Sequence, residues 1–252
     1  MVKVKVTAFI IATIILLIAI IFPYFIIFGI LNHNSSISTI NTFARARVSD
    51  IYSKLKTGDL IMFAGTARMP IISGICQTFF THAAMVIRQG DLVYITEAQY
   101  GESIMPNPDV PGTHYYMKPG TTFSPILTRL KFYSGQPYVM QLSKPLDLYR
   151  EDLLKKMSTQ LLKYPYPTNL ELLYQALFNG KINSRHCFMH VAHLLDLINL
   201  SPMHCNKLTD YKSVQICRDI CNLSKKELPE GYYYEDPIEL LYDIGSLYSY
   251  EY

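Results

Sequence analysis

The order of hydrophobic patterns along this chain predicts an α+β fold, with strands first and helices after. Between residues 58 and 142, short apolar runs are punctuated by Gly, Pro and Asp, the pattern of strands joined by turns. Between residues 150 and 200, apolar residues recur three and four apart, the pattern of amphipathic helices. Half of the 252 residues are hydrophobic, enough for a sizeable core once an apolar N-terminus is set aside. The expected core is a small antiparallel sheet packed on a few helices.

The N-terminus comes first. Residues 6–31 carry no charge, and only Pro23 and Gly29 disfavour a helix there. A stretch of about 20 apolar residues crosses the hydrocarbon of a bilayer, so residues 1–31 are expected to be a transmembrane anchor with a short basic start. A cleaved signal peptide is the competing reading. The apolar run is long for one, and no small-x-small cleavage site follows cleanly. Lys3, Lys5 and the α-amine flank one side of the anchor. Arg45 and Arg47, partly offset by Asp50, lie farther out on the other. That balance leans towards a cytosolic N-terminus with the domain across the membrane. Residues 32–50 begin with an Asn- and Ser-rich stretch and read as a linker, leaving 51–252 as the folded domain.

Within that domain, residues 58–63 read as a short buried strand after a turn. Residues 64–80 mix Gly, Pro and apolar side chains and suit a loop with a short helix. Residues 82–87 and 92–97 are apolar runs joined by Arg88-Gln89-Gly90-Asp91, a β-hairpin with its turn at Gly90-Asp91. Residues 101–120 hold several prolines and read as loop. Ser124-Pro125 is suited to starting a short helix, and residues 138–142 are another strand. Residues 150–163 place Leu153, Leu154, Met157, Leu161 and Leu162 on one helical face, which Pro165 and Pro167 end. Thr168 and Glu171 have capping-box spacing before residues 172–178. Asn183 or Ser184 is expected to cap a last helix running to about Leu200, closed by Pro202. The C-terminal part is mixed, rich in tyrosine and acidic residues.

Net charge is +3 with no basic block, which gives no argument for a nucleic-acid partner. No motif calls for a cofactor. There are five cysteines: Cys76, Cys187, Cys205, Cys217 and Cys221. On an oxidising side of a membrane four of them can pair and leave Cys187 unpaired. Sequons at Asn34, Asn199 and Asn222 fit the same side.

The chemistry centres on three residues. Cys187 falls in the first turn of its expected helix, where the helix dipole favours a thiolate. Val191, Leu194 and Ile198 follow at helical spacing, so the inner face begins at the cysteine. The plainer role for such a cysteine is that of a small buried apolar side chain. His82 opens an apolar strand, and Glu97 closes the partner strand of the hairpin. Pairing of those strands can bring Glu97 beside His82 to orient the ring and stabilise its protonated form, the third-member role of a catalytic triad. A thiol nucleophile, a histidine base and a carboxylate suit nucleophilic acyl transfer. A rival group is His186, His190 and His193, at i, i+4 and i+7 on one helix face, with His204 or Cys205 as a further zinc ligand. The glutamate of a His-Glu-x-x-His motif is absent, because Cys187 stands in its place. These histidines therefore read as polar helix surface, and no metal is expected.

Gly58-Asp59-Leu60-Ile61, then Thr81-His82-Ala83-Ala84-Met85-Val86-Ile87, then Ile95-Thr96-Glu97-Ala98, and last a cysteine heading an amphipathic helix, together resemble the circularly permuted papain-like superfamily. Its members include NlpC-like amidases, lecithin:retinol acyltransferase-like enzymes and poxviral relatives. The resemblance covers roughly residues 56–200, in the right order. It implies a permuted papain-like fold with Cys187 as nucleophile, His82 as base and acid, and a polar third residue, most simply Glu97. It further implies a peptide or lipid substrate, attacked at an amide or ester bond through a thioester. The membrane, reached through the N-terminal helix, is the expected partner. The opposing reading is an inactive anchored domain of the same fold that binds a lipid or protein.

Overall fold

The computed structural model describes residues 43–65, 79–101, 103–106, 112–133, 135–168, 171, 186–202 and 213–241, together with Thr13, Leu16, Ile20 and Pro23. The expected anchor, apart from those last four residues, lies outside the described residues. The four are helical and exposed. Among the described residues, no helix is long and apolar enough to cross a membrane.

The core is one seven-stranded sheet in the order β1-β11-β8-β2-β3-β4-β7. Its strands are β1 (Arg45–Arg47), β2 (Leu60–Gly65), β3 (His82–Gln89), β4 (Leu92–Gln99), β7 (Gly120–Pro125), β8 (Gly135–Met140) and β11 (Ile238–Leu241), while β9 (Glu227–Leu228) and β10 (Tyr232–Tyr233) pair in a small sheet of their own. All neighbours are antiparallel except β1 and β11, which run parallel. The helices are α1 (Val48–Tyr52), α2 (Ile126–Phe132), α3 (Leu148–Gln160), α4 (Cys187–Leu197) and α5 (Ser213–Cys221). The α+β expectation therefore holds, with a larger sheet than expected. The first strand lies inside the segment expected to be linker, and the last lies in the C-terminal part.

The β3–β4 hairpin forms as its sequence predicts. Gln89 pairs with Leu92 across a two-residue loop. Gly90 has φ +62° and Asp91 does not share a positive φ, so only the first loop residue needs the freedom of glycine, as in a type II′ turn. Alternation along β3 then splits the core in two. Ala83, Met85 and Ile87 face one layer with Val191, Leu194 and Leu195 of α4. Ala84 and Val86 face the other with Ile126 and Leu130 of α2. Each of the fully buried Val, Leu, Ile and Met side chains among these contributes about 1.5–3 kcal/mol relative to exposure.

Two local expectations are corrected. Residues 101–120 are not wholly loop: β5 (Ser103–Pro106) pairs antiparallel with β6 (His114–Met117) in a separate two-stranded sheet. Proline is tolerated here because it sits at the terminal pair, Pro106 opposite His114. The helix after Asp147 begins at Leu148, and it ends at Gln160 in a 3-10 turn over Leu161–Lys163. That turn docks against the start of β7. The Thr121 amide donates to the Tyr164 carbonyl (3.0 Å), and the Thr121 hydroxyl donates to the Leu161 carbonyl. Gly120 is required there. Its φ is +128°, and a Cβ would lie 2.6 Å from the Tyr164 carbonyl oxygen. The Thr168–Glu171 capping box forms: the Thr168 amide donates to Glu171 (2.7 Å), and the Glu171 amide donates to the Thr168 hydroxyl (3.2 Å). Residues 172–178 lie outside the described residues, as do residues 66–78 of the expected loop.

Candidate active site

The last long helix begins three or four residues later than its expected caps. Asn183 and Ser184 lie outside the described residues, and the N-cap is His186, with extended backbone (φ −84°, ψ 168°). Its Nδ1 accepts from the Met189 amide at 3.4 Å, the bond a serine or aspartate supplies in most caps. Cys187 is thereby the first residue of α4, where the backbone amides have no partner inside the helix. The apolar face Cys187, Val191, Leu194 and Ile198 is fully buried, as its spacing predicts. That face packs α4 on β3 and β4, and it presses the sulfur against the sheet.

His82 is the first residue of β3, so its ring sits at the end of the sheet. A strand's first residue can meet groups from either layer. His82 uses this position to meet both the α2 layer and the head of α4. Glu97 lies on β4 opposite Ala84, two residues along from His82 and on the same face. The His82 Nε2–H donates to Glu97 Oε2 at 2.5 Å, and Glu97 is fully buried. With Nε2 taken, Nδ1 is left for the Cys187 sulfur, with which the His82 ring interacts. The three residues expected to act together are thus contiguous: Cys187, His82, Glu97.

A fourth residue completes the row and was not singled out in the sequence. Arg129, on α2 and only 8 % exposed, grips Glu97 with two bonds, Nε to Oε1 at 2.5 Å and a terminal nitrogen to Oε2 at 3.1 Å. A two-point grip of this kind fixes the carboxylate plane as well as its charge. The sequence carried no clear signal for it: Arg129 lies beside Thr128, also polar and buried, in a short helix whose Leu127 is exposed. Tyr133, one turn on, stacks on the His82 ring with centroids 5.5 Å apart and planes at 24°. Phe63 packs on both rings, and the Arg129 guanidinium lies 4.9 Å from the Tyr133 ring centre.

The charges along this row alternate, and that decides their protonation. Burial works against ionising Glu97, but the Arg129 charge and the bonds from His82 and Arg129 outweigh it and hold the carboxyl down at about 2. Burial also disfavours imidazolium at His82. The neighbouring sulfur and Glu97 overcome this and push the ring up to about 9. Burial disfavours a thiolate at Cys187, yet His82 and His186 beside the sulfur bring it down to about 6. Between those two values the site holds a thiolate–imidazolium pair, the form in which a cysteine nucleophile is ready to react.

The other histidines are corrected. His186 and His190 are buried rather than surface-polar. His190 Nε2 bonds the Thr96 hydroxyl at 2.8 Å, fastening α4 to β4 behind the sulfur. His193 is half-buried. Among the described residues, no group of three or more His, Cys, Asp and Glu is placed to hold a metal ion. His204 and Cys205 lie outside them. Cys187 carries a buried thiol. Cys76 and Cys205, two of the four cysteines expected to pair, lie outside the described residues.

No protein-family model matches the chain, and no curated protein matches it. Among solved structures, it is similar to the metalloprotein yiiX from Escherichia coli O157:H7, DUF1105. That similarity has 13 % identity and a TM-score of 0.42, over 71 % of this chain and 87 % of the other.

Proposed function

We propose that this chain is a membrane-anchored cysteine hydrolase or acyltransferase with a permuted papain-like domain, acting on amide or ester bonds of a peptide or lipid. One observation carries the reading: a cysteine at the first position of a helix contacts a histidine whose other nitrogen is held by a fully buried carboxylate. In the reaction, the Cys187 thiolate attacks the substrate carbonyl carbon and forms a C–S bond. The carbonyl oxygen takes the negative charge and is met by the Cys187 backbone amide, one of the unpartnered donors of the helix start. The His82 imidazolium gives its proton to the leaving nitrogen or oxygen as that bond breaks, leaving a thioester. A water, or an acceptor amine or hydroxyl, then loses its proton to His82 and attacks the thioester. The sulfur departs as thiolate. Glu97 stays ionised throughout and holds the ring in place. The apolar residues 6–31 would keep the domain at a membrane and so favour a membrane-proximal substrate.

The test is site-resolved alkylation of the folded full-length protein with iodoacetamide at pH 7, followed by peptide mapping. Cys187 should be labelled first, and a His82→Ala variant should lose that preference. Labelling of Cys187 no faster than Cys217 or Cys221 would defeat the reading. The anchor is tested separately by alkaline extraction of membranes: the full chain should stay in the membrane fraction, and deletion of residues 1–31 should release it.

A further inference from the structure

The helix that carries Cys187 is capped by an imidazole. His186 is 4 % exposed. Its Nδ1 accepts the Met189 amide, so Nδ1 carries no proton and the ring N–H is on Nε2. That Nε2 is buried with no nitrogen or oxygen partner. The ring interacts instead with the Cys187 sulfur. It is also adjacent in sequence to the nucleophile whose backbone amide opens the helix.

We propose that the Nε2–H of His186 is a side-chain donor of the oxyanion hole, paired with the backbone N–H of Cys187. This rests on Cys187 being the nucleophile. In the resting site the ring faces the sulfur. When Cys187 attacks a carbonyl, the negative charge moves from sulfur to the oxygen of the carbon newly bonded to it. That oxygen then sits beside both donors and takes over the His186 N–H from the sulfur. His186 transfers no proton in this role; the cap bond locks its tautomer so that it presents a fixed N–H. His82, on the other side of the sulfur, keeps all proton transfer.

Two probes separate this role from others. p-Nitrophenyl acetate acylates a thiolate through a tetrahedral oxyanion and releases p-nitrophenolate. Iodoacetamide alkylates the same thiolate by displacement of iodide, with no oxyanion. Rate constants for both are measured on the full chain as pH-independent plateaus above the thiol titration. His186→Ala should slow acylation about 100- to 1,000-fold while leaving the alkylation plateau nearly unchanged. His186→Ser keeps the helix cap without an N–H donor and should show the same split if the alanine variant folds poorly. His186→Gln restores an N–H donor and should recover part of the acylation rate. Equal loss in both reactions would mean that His186 serves the thiolate and not the oxyanion, and unchanged acylation in both the alanine and serine variants would mean it is only a cap. Either outcome overturns the proposal while leaving Cys187 as nucleophile. Failure of the unsubstituted protein to form an S-acetyl group on Cys187 would instead overturn the nucleophile assignment, and this proposal with it.

Discussion

At the scale of single residues, the row Arg129–Glu97–His82–Cys187 sets both reactivity and its pH range. The thiolate is lost as pH falls through about 6, and the imidazolium is lost as pH rises through about 9. Ester turnover by Cys187 should therefore be bell-shaped in pH, with limbs near those two values, as read from kcat/KM against pH. A single rising limb near the ordinary thiol value would contradict the pairing. Glu97 has a folded value well below its ordinary one, so its stabilising contribution is present at neutral pH and is lost as pH falls towards about 2. Arg129 is the residue to remove for a structural test. Arg129→Leu leaves a buried carboxylate with only His82 to balance it, and should cost about 3–5 kcal/mol in denaturant unfolding. It should also raise the Glu97 value, though Glu97 stays ionised at neutral pH beside the imidazolium, and it takes a cation away from His82, moving the alkaline limb of the profile up. A normal profile in that variant would show that the guanidinium is incidental.

At the scale of elements, the site depends on how the ends of strands are fastened. Asp59, fully buried just before β2, accepts the Lys56 amide and the Leu142 amide, each at 2.8 Å, and so joins the start of β2 to the segment after β8. Burial raises its carboxyl to about 6 despite those bonds. Because the folded value is raised, this contribution to stability is full below the ordinary carboxyl range and is lost as pH rises through about 6. Asp59→Asn should flatten the dependence of stability on pH between about 4 and 6, measured by urea unfolding across that range. An unaltered slope would place the titration elsewhere. The β3–β4 hairpin was legible because two signals agreed: apolar runs of strand length at residues 82–87 and 92–97, and a Gly-Asp turn between them. The position of Glu97 relative to His82 then followed from register alone. Arg129 was not legible because a lone arginine in a helix is usually a surface residue, and only the neighbouring strand shows that it points at a carboxylate. His186 and His190 were misjudged for a related reason. Helical spacing says that they share a face, and tertiary packing alone says which way the face turns.

At the scale of the molecule, the strand order makes the C-terminal part integral to the sheet. β11 lies between β1 and β8, Arg45 bonds Glu239 at 2.8 Å, and the Gln136 side chain donates to the Leu240 carbonyl at 2.8 Å. Four residues of unexceptional composition, Ile238 to Leu241, gave no sign in the sequence that they occupy an inner position, because strand order is a long-range property. Deleting residues 238–252 should uncover the edge of β8 and leave β1 unpaired. The expected result is a lower thermal midpoint together with light scattering at temperatures where the full chain stays clear. A midpoint equal to that of the full chain would show that β11 is dispensable.

The same strand order sets a sequence of events during synthesis. The strands β2, β3, β4, β7 and β8 are mutual neighbours, and all have been synthesised once residue 140 is made. His82, Glu97 and Arg129 are then available to assemble. Cys187 follows 47 residues after that point, and β1, near the front of the chain, has no partner until residue 241 emerges. The nascent protein therefore has Arg129, Glu97 and His82 before it has Cys187. The first strand waits longest to dock, and the sheet closes only when β11 is made.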